Sequence, residues 1–350
     1  METAHSLCSD AINHSVRDRG TLGAERGSDP GEATGPEASP YGTHQGRADG
    51  MTTSELISFD SAAAASILRR ACGLAGLDAD GAELVRLGDH AVFRLDRGRV
   101  VSRVGRHADR LPSVRREVAV ARWLAAEDYP AARLATEAEQ PVVVDGHPVT
   151  FWEGLGDGET YASTREMGEL LRRLHQLEAP PFPLPELRPF AKVDRRLKRA
   201  MLREETHVYL SALAQELSAE YDELEFALPP GLLHGDYNIG NVLLDADELP
   251  TVIDLDGFVV GPREWDLTQT AMYYDSFGWH TEAEYTDFVE GYGFDVRQWS
   301  GYSVLRSVRE LLMVTWLAQN AGTNPRAAEE VEKRVESLRS GGSRRDWAPF

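Results

Sequence analysis

The hydrophobic pattern of this chain changes its period between the two halves, and this change limits the folds that the chain can adopt. From residue 82 to residue 106, apolar and polar residues alternate in short runs, which is typical of β-strands. From residue 164 to residue 178, apolar residues recur at the spacing of one helical face. We therefore predict an α+β fold, with a small antiparallel sheet in the first half and mostly helices in the second.

Turn signals divide the first half into predicted elements. Two strands meet at Gly88–His90, a third follows the turn Asp96–Gly98, and a hairpin turns at Asp145–Gly146. Because Pro112 suits the first turn of a helix, we predict one helix at residues 113–127, inserted between the third strand and the hairpin. A short helix is also expected ahead of the sheet, at residues 62–76.

Amphipathic periods and apolar runs predict the elements of the second half. Residues 164–178 form one helix, and residues 191–227 form one or two more after a proline-rich connection. Short strands are expected around the loops between residues 231 and 258, and helices at 303–320 and 325–340.

The N-terminal segment differs in composition from the rest of the chain. Between Gly20 and Gly50, 11 of 31 residues are Gly or Pro and almost none are large and apolar, so burial cannot offset the entropy of ordering. We expect residues 1–50 to be a disordered leader, with Met51 as a candidate start of translation. An N-terminal lobe is then expected at residues 51–153 and a C-terminal lobe at residues 154–340.

The net charge and the cysteine content exclude some classes of function. A formal charge of −20 argues against nucleic acid as a partner, because both molecules would be polyanions. No run of about 18 apolar residues is present, so we expect no membrane span, and we expect no secretory signal. The two cysteines, Cys8 and Cys72, argue against a disulfide framework and favour a reducing cytoplasm.

The richest set of chemical groups lies in the stretch HGDYNIGN and the later stretch VIDLDG. Asn241 follows Asp236 by five residues, and Asp254 ends a short apolar run. Amide and carboxylate oxygens on adjacent loops are ligands that Mg²⁺ accepts, while another carboxylate can orient a hydroxyl group and take its proton. One base, one carboxamide ligand and one carboxylate ligand together are what phosphoryl transfer from ATP needs.

These residues resemble the signature of the aminoglycoside phosphotransferase and choline kinase-like superfamily, whose members are relatives of the protein kinases. The resemblance implies a two-lobed protein-kinase-like fold, with nucleotide bound by the N-terminal lobe and catalysis and acceptor binding in the C-terminal lobe. It implies that Asp236 is the catalytic residue and that Asn241 and Asp254 hold Mg²⁺. The following stretch GPREWDL adds Asp266 as a structural partner of the catalytic loop.

Roles can also be predicted for four further residues. His234 is expected to hold the catalytic loop by hydrogen bonds, and Gly235 to permit its backbone geometry. Asp256 is expected either to contact a second metal ion or to cap the following loop, and the sequence leaves both open. His175, on a helical face beside leucines, is expected to be packed in the core rather than to be a ligand.

A phosphotransferase also needs a cation against the phosphates of ATP. Protein kinases use a strand lysine paired with a helix glutamate, but this chain contains no lysine before Lys192. Arg103 occupies the matching place on the third strand, and its planar guanidinium binds phosphate well. Glu117 lies on the apolar face of the predicted helix, where an acid needs a cation, so we predict an Arg103–Glu117 pair.

The predicted hinge between the lobes should contact the adenine. It is the stretch TFWEGLG after the hairpin, and the backbone groups of Glu153 and Leu155 are its expected contacts. The loop that would cover the phosphates has one glycine, Gly88, where protein kinases have several.

The leading hypothesis is therefore an ATP-dependent kinase of a small-molecule hydroxyl, such as that of an aminoglycoside, amino sugar or amino alcohol. A protein kinase is disfavoured, since no activation segment fits between Asp254 and Asp266. A nucleotide-binding pseudokinase would require the loss of a catalytic group, and none is missing. The oligomeric state stays open.

Two sets of side chains are candidates for binding the acceptor. Acids in the helical insert could hold a cationic acceptor, and aromatic residues after the last motif could cage a quaternary amine. Both sets could equally be a solvated helix face and a core. The candidates are Glu204, Glu205, Asp222, Glu223 and Glu225, and Tyr273, Tyr274, Phe277 and Trp279.

Overall fold

A five-stranded antiparallel sheet forms the first half of the chain, as the alternating pattern predicts. The computed structural model describes residues 59–88, 90–156, 158, 160–322 and 324–348, so the expected leader and Met51 lie outside the described residues. The strands are β1 (Glu83–Leu87), β2 (His90–Leu95), β3 (Val100–Gly105), β4 (Val142–Val144) and β5 (His147–Glu153), in the spatial order β1-β2-β3-β5-β4. Asp145 and Gly146 both have positive φ at the β4–β5 hairpin, which suits a tight turn of this twist.

Two helices accompany this sheet, and they pack into different cores. The first, α1 (Ser61–Ala75), begins at the cap residue Asp60 and buries its apolar face against the sheet. The second, α2 (Leu111–Ala126), contains Pro112 in its first turn and packs with the helices of the second half instead. Helix α2 therefore joins the sheet to the second half and sets one side of the cleft between them.

The second half is mostly helical, with two small antiparallel ladders. Strand β6 pairs with β9, and β7 pairs with β8. The elements are α3 (Thr164–Gln176), α4 (Val193–Arg199), α5 (Glu204–Asp222), β6 (Gly231–Leu233), β7 (Val242–Leu244), β8 (Pro250–Val252), β9 (Val259–Gly261), α6 (Glu264–Asp275), α7 (Glu282–Tyr292), α8 (Tyr302–Ala318) and α9 (Pro325–Ser340). This arrangement confirms the predicted α+β fold class.

Helices α6 and α7 lie where the sequence analysis predicted no element. Helix α6 is buried on nearly all sides, so its apolar residues show no helical period. Helix α7 begins with a capping box, in which the side chains of Thr281 and Glu284 each bond the backbone N–H of the other. That signature is visible in the sequence and would have located the start of α7.

The described residues contain no helix that is both long enough and apolar enough to cross a membrane.

Helices α3 and α7 approach each other closely because each presents a glycine at the crossing. A Cβ at Gly168 would lie 2.4 Å from the carbonyl oxygen of Phe288, and one at Gly291 would lie 2.4 Å from that of Arg165. Both distances are too short for any side chain, so the contact requires glycine on both helices. This crossing brings His175 of α3 against Tyr292 of α7, which matters for the loop described below.

We predict opposite effects for two helical Gly→Ala substitutions. Gly168→Ala should lower the free energy of unfolding by about 1–3 kcal/mol, because the new methyl group forces backbone apart. Gly73→Ala in α1 should raise it by about 0.5–1 kcal/mol, because alanine favours helix and a Cβ there meets no atom within 4 Å. Urea unfolding of both variants checks this, and a stabilised Gly168→Ala would show that the crossing is looser than described.

Candidate active site

The loop that follows β6 bends sharply at Gly235. Its φ is +88°, and a Cβ at this position would lie 2.3 Å from the carbonyl oxygen of Gly257. The backbone of the next loop therefore passes so close that only glycine fits, which agrees with the geometric role expected of Gly235. The imidazole of His234 contacts the carbonyl oxygen of Ile253 through Nε2 at 2.9 Å, so His234 ties the two loops together as predicted.

A single buried carboxylate holds the start of this loop. Asp266 of α6 accepts hydrogen bonds from the backbone N–H groups of His234 at 2.7 Å and Gly235 at 2.9 Å. His175 Nε2 lies 3.3 Å from the same carboxylate, and its Nδ1 is 2.9 Å from the hydroxyl of Tyr292. His175 is thus a buried, hydrogen-bonded core residue, and Asp266 is the structural partner that the GPREWDL stretch indicated.

The charge of Asp266 is supported by its surroundings. Burial raises the pKa of this carboxyl group, but the hydrogen bond to His175 and the nearby His234 and Arg309 outweigh burial and hold the pKa below its ordinary value. The carboxylate therefore stays charged when it accepts the backbone N–H groups of the loop, and such charge-assisted hydrogen bonds are stronger than neutral ones.

Asp236 and Asn241 lie on this loop, and each has a side-chain oxygen that no hydrogen bond among the described residues occupies. The side chain of Asp236 is 57% exposed, and none of the hydrogen bonds found among the described residues reaches its carboxylate. Asn241 donates its side-chain N–H to the backbone carbonyl of Asp236 at 2.8 Å. This bond fixes the orientation of the carboxamide and leaves its oxygen available as a ligand.

Asp254 comes from the neighbouring loop, which is bound to the first by backbone contacts. The N–H of Ile253 donates to the carbonyl oxygen of Asn241 at 2.9 Å. Asp254 itself has a left-handed backbone conformation with φ of 61°, which is uncommon for a residue with a side chain. The pair of loops therefore brings together the amide oxygen and the carboxylate that the sequence analysis assigned to a metal ion.

Arg103 links this loop to α2. Its Nη1 atom lies 2.9 Å from Oε1 of Glu117 and 3.2 Å from Oδ1 of Asp254. The predicted Arg103–Glu117 pair is therefore present, and Asp254 is an additional partner that the sequence did not indicate. Burial raises the pKa of Glu117 to about 7, more than the guanidinium of Arg103 lowers it, so this carboxyl group depends on its cation to stay charged.

A cavity of about 260 Å³ lies between the sheet and the second half of the chain. Its walls are mostly apolar and include a few charged groups, the usual character of a small-molecule site. Arg103, Glu117 and Asp254 form one charged cluster in the wall, and Arg94, Glu153 and Leu155 also line the cavity, the last two at the hinge. The remaining walls include Val85, Val92, Val101, Ala132, Trp152, Leu243, Ile253 and Leu255.

Asp256 lies at the edge of the same site. Its carboxylate is 4.0 Å from the guanidinium of Arg110, and burial together with the charge of Asp254 raises its pKa. No side-chain cap is formed on the 3₁₀ turn Leu255–Gly257 that contains it. Asp254 is the residue at the N-cap of this turn, so both roles that the sequence left open for Asp256, metal contact and capping of the following loop, stay predictions.

Four of the acceptor candidates have structural contacts. Tyr273, Phe277 and Trp279 pack on one another, so they form no open cage. Glu205 pairs with Arg203, which also pairs with a residue of α9. These contacts favour the structural interpretation for these four residues.

Comparison with known proteins identifies the family. The sequence model of the APH phosphotransferase enzyme family matches residues 87–305, which is more than half of the chain. The chain belongs to this family of phosphotransferases. A search of the curated protein sequences gives no match.

Solved structures show the same fold for this phosphotransferase. An amicoumacin kinase in complex with AMP-PNP, Ca²⁺ and Ami has a TM-score of 0.63 at 13% identity, over 81% of this chain and 95% of that one. A microcompartment-associated aminopropanol kinase has a TM-score of 0.61 at 20% identity, and the match covers 79% of this chain and 98% of that one. A choline/ethanolamine kinase family protein from Mesorhizobium loti has a TM-score of 0.51 at 20% identity, and the match covers 78% of this chain and 94% of that one. These similarities confirm the predicted kinase-like fold.

One contact of the loop that follows β6 was missed by the sequence analysis, and one of its two residues, Arg309, lies outside the stretch that the family model matches. Arg309 of α8 is buried and approaches Asp236, with 3.7 Å between Nη1 and Oδ1. The available signal was a charged residue on the apolar face of a long helix, the same signal that singled out Glu117. No local motif accompanies it, because the contact joins segments far apart in the chain.

We predict that Asp266→Asn destabilises the catalytic loop and the fold together. The asparagine amide would turn an N–H group toward one of the backbone N–H groups that Asp266 now accepts. A buried donor left without an acceptor costs roughly 1–3 kcal/mol of stability, and the cost is larger when the lost acceptor is charged. Chemical unfolding should therefore show a loss of about 3 kcal/mol. Asp194→Asn, at an exposed site on α4, is the control and should match wild type. An Asp266→Asn protein of unchanged stability would contradict the role given to this carboxylate.

Proposed function

We propose that this phosphotransferase moves the γ-phosphoryl group of ATP to a hydroxyl group of a small molecule, with Mg²⁺ as the metal ion. One observation carries the proposal. Two loops are bound to each other: Asp236 and Asn241 lie on one, and Asp254, on the other, lines a mostly apolar cavity together with Arg103 and Glu117. A base, an amide oxygen and a carboxylate oxygen beside a cavity for the nucleotide are what phosphoryl transfer requires.

The nucleotide occupies the apolar cavity in this proposal. The adenine lies against the hinge and contacts backbone groups of Glu153 and Leu155, and the phosphates extend toward Arg103. Glu117 fixes the guanidinium of Arg103, so that less rotamer entropy is lost when the phosphates bind. The N-terminal lobe up to residue 153 thus binds ATP, and residues 154–340 supply catalysis and the acceptor site.

The metal ion fits the groups that the structure brings together. Asn241 and Asp254 would hold the metal ion through oxygen atoms, which a hard cation prefers. When bound, it neutralises charge that develops on the phosphates. Arg103 contacts Asp254 at 3.2 Å, so a cation of the chain lies beside one of the carboxylates that would hold the metal ion.

The acceptor is a small molecule with a hydroxyl group that Asp236 can reach. Asp236 orients this hydroxyl and takes its proton as the phosphoryl group arrives. The segment between Asp254 and Asp266 consists of a 3₁₀ turn, strand β9 and the start of α6, which leaves no room for the activation segment of a protein kinase. The named relatives act on amicoumacin and aminopropanol, and this supports a small-molecule acceptor.

We predict that Asp236→Asn removes transfer and spares nucleotide binding. Losing general-base help should lower turnover by about 10²–10⁴-fold, while the dissociation constant for ATP should stay within about twofold, since Asp236 does not line the cavity. The assay is phosphomonoester formation with a panel of aminoglycosides, amino sugars, choline, homoserine and macrolides. Asp247→Asn, on an exposed turn, is the control. Wild-type turnover in Asp236→Asn would refute the assignment.

We predict that Arg103→Ala and Glu117→Ala are coupled in their effects on ATP. Arg103→Ala should raise the KM for ATP and lower turnover, because it removes the cation and leaves two carboxylates near a polyanion. Glu117→Ala should show a milder defect. The double variant should be less impaired than the sum of the single changes, since the residues are in contact. Additive effects, or wild-type KM in Arg103→Ala, would mean that another residue holds the phosphates.

A further inference from the structure

Arg309 is the residue whose surroundings the proposed function leaves unexplained. Arg309 lies on helix α8 and is only 8% exposed. Burial lowers the pKa of its guanidinium, and this effect outweighs Asp236 and Asp266, which raise it. Burying a cation is costly unless a partner compensates for the lost water. A helix that needed only packing would be served better by an apolar residue at this position.

The guanidinium of Arg309 joins three parts of the site. Its Nη2 atom donates to the carbonyl oxygens of Gly235 at 3.3 Å and Trp265 at 3.1 Å. Its Cζ atom lies 4.0 Å from the centroid of the Trp265 ring, and the indole N–H of Trp265 donates to the same Gly235 carbonyl at 2.9 Å. Arg309 and Trp265 thus hold, from one side, the peptide group that immediately precedes Asp236.

The remaining end of the guanidinium faces the carboxylate of Asp236. The 3.7 Å between Nη1 and Oδ1 is too long for a hydrogen bond, which requires about 3.5 Å or less. Attraction between the charges persists at this distance, but no N–H occupies a lone pair of the carboxylate. Arg309 can therefore orient Asp236 while both carboxylate oxygens stay free to accept a proton from the acceptor hydroxyl.

We propose that Arg309 is a positioning residue for phosphoryl transfer, which holds the peptide group before Asp236 and orients the Asp236 carboxylate toward the acceptor. This inference rests on the proposed function of Asp236. It predicts a defect confined to the transfer step, since Arg309 does not line the nucleotide cavity. A displacement of about 1 Å at a reacting group can cost about 10²-fold in rate.

Arg334 provides a matched control within the same chain. It is 2% exposed, lies 4.8 Å from the centroid of the Trp347 ring and donates to the carbonyl oxygen of Ala348 at 2.6 Å. It therefore shares burial, ring stacking and a carbonyl bond with Arg309, yet it belongs to α9 and its partner Glu330 lies outside the catalytic loop. A loss that comes only from unpacking a buried arginine should appear equally in both variants.

The test compares Arg309→Met, Arg309→Lys and Arg334→Met on an acceptor that wild type phosphorylates. Arg309→Met should lower kcat by about 10²-fold at an unchanged KM for ATP, and Arg309→Lys should recover part of the loss because it retains the charge. Arg334→Met should keep the wild-type kcat per folded molecule even if its thermal midpoint falls. Methylguanidinium added to Arg309→Ala should raise kcat in a saturable manner and leave Arg334→Ala unaffected.

The outcomes separate this inference from the proposed function. Transfer that survives in Asp236→Asn would refute the proposed function itself. If Asp236→Asn loses phosphoryl transfer while Arg309→Met keeps the wild-type kcat, only the role of Arg309 is overturned. If Arg309→Met does not fold, Arg309→Lys is the deciding variant. A wild-type kcat in Arg309→Lys, together with no rescue of Arg309→Ala by methylguanidinium, would overturn the inference. Equal losses of kcat in Arg309→Met and Arg334→Met would do the same.

Discussion

The buried carboxylate of Asp266 is the interaction on which the rest of the site depends. It binds two successive N–H groups at the start of the catalytic loop, and His175 connects it to the crossing of helices α3 and α7. The glycines at that crossing allow His175 and Tyr292 to meet. Packing in the helical core thus determines where Asp236 is placed, although Asp236 itself is half exposed.

The nucleotide side of the site depends on a second balance of charges. Arg103 on the sheet meets Glu117 of α2 and Asp254 of the second loop, so one cation joins three parts of the fold. Because α2 packs with the helical half, this cluster also connects the two cores across the cleft. A bound nucleotide and metal ion would change the charge around Arg103, Glu117 and Asp254, so this cluster would be affected directly by their binding.

Much of the fold and of the site could be predicted from local sequence patterns. The order of Asp236, Asn241 and Asp254 is a property of a short stretch, and the acid on the apolar face of α2 pointed to Arg103. Helix α6 could not be predicted from periodicity, because burial on all sides removes the period. The contact of Arg309 with Asp236 was also missed, since it depends on how α8 docks and on no local pattern.

We propose a direct, in-line transfer in which Asp236 orients the acceptor and never carries the phosphoryl group. The most direct test is the stereochemical course at phosphorus, with ATP made chiral at the γ-phosphorus by oxygen isotopes and the first acceptor that the enzyme phosphorylates. A single in-line displacement predicts inversion of configuration in the product. Retention would contradict the account, because it requires a second displacement through a covalent phosphoenzyme.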